Sequence, residues 1–269
     1  MTKTRLNILP TPTFGHLGVN YTEREVGFAG KENISVPEGA DRQIIQFVDS
    51  DDDTCVAVGK NARLQLVRVC ASEQGCVSKV NAALDEDAEL GLIQLYLGGN
   101  NVSEIIAELN GSRSFFRADI GYDLGKDCTL DLNLAADHNG RKSISEINAG
   151  GVLRENAQKI FKGTIDFRTG SSGAKGSEKE DVILMDGAVV NKTVPVILCA
   201  EEDVEGSHGA SIGRIDEGQV FYMKSRGIPE EKIYEMITRS KLARIIRKIG
   251  DEKTEQRIYN ILGWGDEVE

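Results

Sequence analysis

The chain has no paired-cysteine motif, no long apolar run and few aromatic residues, and each absence removes a class of protein. Its five cysteines, Cys55, Cys70, Cys76, Cys128 and Cys199, include no CxxC and leave one over if the others pair, which argues against a disulfide framework. The segment MTKTRLNILPTPTF lacks the apolar core of a signal peptide, and no run approaches a membrane span, so the expectation is a cytoplasmic protein with no membrane association. Lys and Arg total 32 against 43 Asp and Glu, and the net charge of −11 repels a nucleic-acid backbone. The three histidines, His16, His138 and His208, show no HxxxH spacing, and GxSxG and HExxH are absent, which removes the familiar hydrolase signatures. Two glycine-bearing stretches, 121–127 and 170–177, miss the phosphate-binding loop spacing, so the chain itself is expected to bind no nucleotide.

What is present is a change of grammar near Arg214. Residues 1–40 carry Pro10, Pro12 and Pro37 with little periodicity and read as an extended arm. From 41 to 214 the apolar positions alternate in short bursts, among them 64–69, 92–97, 130–134, 160–167 and 194–198, as half-buried strands do. Gly98-Gly99-Asn100, Asn110-Gly111, Asn139-Gly140 and Asp186-Gly187 supply turns between them. Amphipathic helices are missing there, which excludes alternating α/β folds and leaves a mainly β sandwich, barrel or solenoid. No crisp repeat chooses among the three.

Residues 215–269 read as helices. Asp216 is an N-cap, with Gln219 three residues on, and Gly227 suits the left-handed C′ position. Pro229 fits the first turn of a second helix. Ile233, Met236, Ile237, Leu242, Ile245, Ile246 and Ile249 form its broad apolar stripe, set opposite Arg239, Lys241, Arg244, Arg247 and Lys248. That basic face reads either as a solvated surface or as a dock for an acidic partner. Asp251 caps a third helix, and Trp264 before an acidic tail reads as packing onto these helices or as a partner anchor.

Among candidate ligands, His208 lies between Ser207 and Gly209, small neighbours that leave its ring accessible, and Cys199 ends a strand nine positions earlier. A shared imidazole and thiolate metal site is one reading; a hydrogen-bonded histidine and a buried thiol are the other.

Five segments in order resemble the SufB/SufD family of the SUF iron–sulfur cluster assembly system. They are Asn148–Leu153, Ile160–Ile165, Val182–Met185, Asp203–Ala210 with its His208-Gly209-Ala210, and Phe221–Ile228 reading FYMKSRGI. The resemblance implies a right-handed parallel β-helix with a small C-terminal helical domain, in a compact, non-enzymatic member of the family. It implies pairing, as a homodimer or with a SufB/SufD relative, through the β-helix near His208. It also implies docking of a SufC-type ABC ATPase on the helices after Asp216, with Phe221, Tyr222, Arg226, Ile228, Arg239 and Arg244 as the contact residues. A transient iron–sulfur cluster is the implied cargo, with His208 and Cys199 as the residues nearest that role.

The sequence departs from the family where it matters chemically. Gly206 stands where SufD-type members carry a cysteine two residues before the histidine, and Glu180 falls near the scaffold-type cysteine. A β-helical carbohydrate-binding or carbohydrate-active protein is the alternative from another class. Aromatics at 6% offer it few sugar-stacking platforms, and it gives the helical tail no purpose.

Overall fold

Parallel pairing of short alternating strands builds the molecule. The structure, a computed structural model, describes residues 3–13 and 15–265; the acidic tail lies outside them. The first sheet stacks β3 (Lys31–Val36), β5 (Asp52–Val58), β7 (Val77–Leu84), β9 (Asn100–Leu109), β11 (Thr129–His138), β13 (Gln158–Phe167) and β15 (Val190–Cys199) in that order. The second stacks β4 (Asp41–Val48), β6 (Arg63–Cys70), β8 (Glu89–Leu97), β10 (Phe115–Leu124), β12 (Ile144–Leu153), β14 (Ala174–Leu184) and β16 (Val204–Arg214). Successive strands of the chain alternate between the sheets, and every pairing within them is parallel. This is a parallel β-solenoid, which settles the choice that periodicity left open. The segment expected as an arm, 1–40, contributes β3 to the stack; an antiparallel hairpin of β1 (Lys3–Leu6) and β2 (Thr22–Glu25) precedes it.

The core is the lumen between the sheets. Alternation sends Leu64 and Leu66, Leu90 and Leu92, Phe116 and Ile120, and Phe161 and Ile165 into one continuous apolar cluster. Each such side chain contributes about 1.5–3 kcal/mol on burial. The corners absorb differences in coil length. Arg63 pairs with Glu89, and Glu89 with Phe115, an offset of 26 residues, whereas Phe115 meets Ile144 at an offset of 29 and Arg168 contacts Asp137 at 31. Asn110-Gly111 and Asn139-Gly140 stack at one corner, where Asn139 Nδ2 donates to Asn110 Oδ1 at 2.8 Å. A side chain on Gly140 would place its Cβ 2.1 Å from the Gly111 carbonyl oxygen, so glycine is required.

The C-terminal helices lie on the outer face of the second sheet. Asp216 caps α1 (Glu217–Ser225) by accepting from the Gly218 and Gln219 amides, and Gly227 follows the C-cap at φ 85°. Pro229 occupies the N-cap of α2 (Glu230–Ile246), one position before the first turn expected for it. Asp251 caps α3 (Glu252–Ile261). Leu242, Ile246, Ile249, Ile258 and Trp264 pack on Val67, Val69, Ile93 and Leu95, so Trp264 serves packing. Gly121 lets α2 approach, since a Cβ there would sit 3.2 Å from both Leu242 Cδ2 and Ile245 Cδ1.

Candidate functional site

The last coil is the open end of the stack. β16 has no neighbour beyond it, and nearly all of its residues are exposed. Its register places His208 beside Glu178, Ala210 beside Glu180 and Gly206 beside Gly176. Gly176 and Gly206 face the lumen, because a Cβ at the first would meet Ile165 and at the second Phe167 and Ile197. By the two-residue period, His208 and Ala210 share that lumen-facing side with Glu178 and Glu180. The exposed imidazole therefore stands at the mouth of the lumen.

Beneath it lies a buried ionic layer that the sequence disguises. In β14, Glu178 and Glu180 are each 3% exposed. Lys159 of β13, equally buried, pairs with Glu180 and sits 5.5 Å from the Tyr122 ring centroid and 5.7 Å from that of Phe161. Thr193 Oγ1 of β15 donates to Glu180 Oε2 at 2.6 Å. Burial pushes the Glu178 carboxyl up to about 7 and pulls the Lys159 ammonium down to about 7, the Glu178 charge opposing the second shift. A carboxyl that holds its proton near neutrality thus adjoins His208 in register. The run GSEKEDVIL looks like a charged surface. Only the alternation of Ala174, Gly176, Val182 and Leu184 signals that Glu178 and Glu180 point inward.

Cys199 lies elsewhere on this coil. It ends β15 at the corner leading to β16, is exposed, and its thiol donates to the Glu201 carbonyl at 3.0 Å. His208 is four residues into β16, roughly 13 Å along the strand at its usual rise. The structure does not bring the two together. Among the described residues, no three His, Cys, Asp or Glu side chains converge to hold a metal ion. A carboxylate, an imidazole and an ammonium do not match the thiolates that iron–sulfur clusters prefer, so this chain's own residues do not fit a complete cluster site.

The basic helix face is divided. Lys241 of α2 pairs with Asp181 of β14, and Lys248, just past the end of α2, with Asp119 of β10 at 2.6 Å. These cations face the sheet, not away from it as the helical pattern suggests. Arg244 remains exposed and Arg239 half-buried. On α1 no residue is buried: Phe221 is 75% exposed and Tyr222 58%. Arg226 lies over the Tyr222 ring at 5.2 Å and donates to its hydroxyl at 3.0 Å, and Ile228 is half-buried at the turn.

A parallel β-solenoid with an open last coil and a helical tail presenting bare aromatics has the form of an assembly subunit. Residues 21–241 match the family described as SUF system FeS cluster assembly, SufBD core domain. The chain belongs to that family. It is 24% identical over 248 residues to the iron–sulfur cluster assembly protein SufD of Bacillus subtilis, covering 92% of this chain and 54% of the relative. Against SufD of Escherichia coli the identity is 26% over 259 residues, covering 88% of this chain and 60% of the relative. A SufBD family protein of Mycobacterium bovis is 27% identical over 125 residues, covering 46% and 15%. The chain thus spans little more than half the length of these two SufD relatives. No described helix is long and apolar enough to cross a membrane.

Proposed function

We propose that this chain is a non-catalytic, cytoplasmic subunit of a SUF assembly complex that binds a SufC-type ABC ATPase through its C-terminal helices. The carrying observation is α1, which buries none of its residues and holds Phe221 and Tyr222 in solvent. A monomer gains nothing by exposing two adjacent aromatics on a capped helix, whereas aromatic and arginine side chains are the usual anchors of an interface. Arg226 lies against Tyr222 in that patch, and Ile228, Arg239 and Arg244 are the further contact residues of the proposed dock. The unpaired β16 supports association with a second copy or a SufB/SufD relative, since an exposed strand edge is a template for pairing. In that assembly His208 meets the partner at the lumen mouth, and a nascent cluster is cargo held with the partner's residues rather than by this chain alone.

The test is anaerobic co-expression with a SufC-type ATPase. The intact chain is expected to co-purify with it, and the double variant Phe221→Ala, Tyr222→Ala to lose at least tenfold in capture while keeping its melting temperature. Undiminished capture by the double variant rejects α1 as the dock. For cargo, His208→Ala is expected to lower cluster loading of the assembled complex, and unchanged visible absorbance removes His208 from that role.

A further inference from the structure

Beside α2 the outer face of the second sheet changes character. Over β6 and β8, apolar side chains of the C-terminal helices close on Val67, Val69, Ile93 and Leu95. Toward the last coils the helix faces polar rows instead, and between helix and sheet lies a groove of about 460 Å³. The strand register of β10, β12 and β14 fixes its floor: Arg117 and Glu146 share one row, Asp119, Asn148 and Lys179 the next, and Gly121, Gly150 and Asp181 a third. The missing Cβ of Gly121 is aimed at Leu242 and Ile245 of α2, so by the two-residue period all three rows lie on the helix side of the sheet.

Five cations and three carboxylates line this groove, a local excess of two positive charges in a chain whose net charge is −11. Each carboxylate is already engaged. Arg117 Nε donates to Glu146 Oε2 at 2.9 Å, Lys241 pairs with Asp181, and Lys248 Nζ donates to Asp119 Oδ1 at 2.6 Å. Among the described residues nothing pairs with the other two cations, Lys179 on the floor and Arg244 on the helix wall.

A cleft with low-dielectric walls concentrates the field of such charges where open water would disperse it. A dianion neutralises the excess. The guanidinium fork of Arg244 suits the spread oxygens of an oxyanion, and the Lys179 ammonium adds a point charge from the sheet. A phosphate monoester carries close to two negative charges at neutral pH. The volume is that of a small-molecule site, with room beyond a lone phosphate ion. No aromatic ring is among the described residues lining it, so a nucleobase has nothing to stack on.

We propose that this groove binds the phosphate group of a small phosphorylated molecule without a nucleobase, held between Lys179 and Arg244. The site needs neither the bare aromatics of α1 nor the open edge of β16, so it stands apart from the proposed assembly contacts.

The intact chain is titrated with sodium phosphate, with ribose 5-phosphate and with succinate, a dicarboxylate, at an ionic strength held constant with sodium chloride, and the melting temperature is followed. Both phosphate compounds are expected to raise it along a saturating curve, and succinate to raise it less. In Lys179→Gln, Arg244→Gln the unliganded melting temperature is expected to stay, because both side chains are exposed and unpaired, while the half-saturating concentration rises about tenfold or more. A control pair, Lys126→Gln with Arg141→Gln, removes the same charge at the corners of the coils and should leave the curve in place. Broadening of the ribose 5-phosphate phosphorus resonance on adding intact chain reads the same binding without recourse to melting. A curve that the groove variant does not move, or that the control pair moves as far, overturns the site. No saturable rise and no broadening overturn it as well, a steady rise being the general exclusion of phosphate from protein surfaces. Succinate matching the phosphate compounds overturns the ligand class.

Discussion

β13 and β15 are register neighbours with the same alternating grammar, yet β13 is mostly buried and β15 has no buried residue. Ile165 and Ile197 make the contrast sharpest: they are the same residue type, paired in register, and their exposures are 0% and 37%. What differs is whether another coil lies on top. Burial in a solenoid comes from the neighbouring coil as much as from the strand's own pattern. Among the described residues, Val190, Ile197 and Ile212 of the terminal coil keep apolar surface in solvent with no coil stacked over them.

That comparison can be broken by experiment. Ile165→Ala should cost about 2–5 kcal/mol of unfolding free energy, read as a drop in the urea midpoint at constant slope. Ile197→Ala in the isolated chain should cost less than about 1.5 kcal/mol, because much of its surface is already in water. Equal losses would mean that β15 is covered within the chain, and the terminal-coil argument would fail.

The buried coils should also carry the acid sensitivity. His138 is 0% exposed and hydrogen-bonded to Ser143 Oγ at 2.7 Å and Ser145 Oγ at 2.8 Å; burial lowers its pKa to about 4. The unfolded chain then binds the extra proton first. The contribution of neutral His138 is complete above the unfolded value near 6.5 and is lost as pH falls toward 4, amounting to roughly 3 kcal/mol. His138→Gln should flatten that part of the stability profile between pH 7 and 4.5, and a profile of unchanged slope would reject His138 as the source.

The smallest effect belongs to the uncovered end. Lys175 and Glu205 pair at 2.8 Å across the last coil with side chains 55% and 74% exposed. Lys175→Gln should shift stability by no more than about 0.5 kcal/mol in the isolated chain. A larger loss would show that this edge is more constrained than its exposure indicates.

Much of this architecture was legible in the sequence. The bursts at 64–69, 92–97 and 160–167 fall inside β6, β8 and β13, and Asp216, Gly227 and Asp251 mark helix boundaries where the structure has them. The choice of solenoid was not legible from periodicity, because coil offsets of 26, 29 and 31 residues blur any fixed repeat. The ionic layer stayed hidden for another reason. Lys159, Glu178 and Glu180 are residue types normally placed in water, and only the packing of β13 against β14 across the lumen shows Lys159 and Glu180 paired inside. Lys241 and Lys248 were assigned to an outer face for the same cause: helical spacing records a stripe but not the aspartates waiting on the sheet.

The stacked Asn110-Gly111 and Asn139-Gly140 corner keeps five residues in both coils, whereas the opposite bend holds two residues at 98–99 and four at 125–128. Differences in coil length are thus taken up at a bend while the paired strands stay in register. Adding or deleting one entire circuit, from one such bend to the next, would leave both ends of the cylinder chemically as they are and alter only the distance between them.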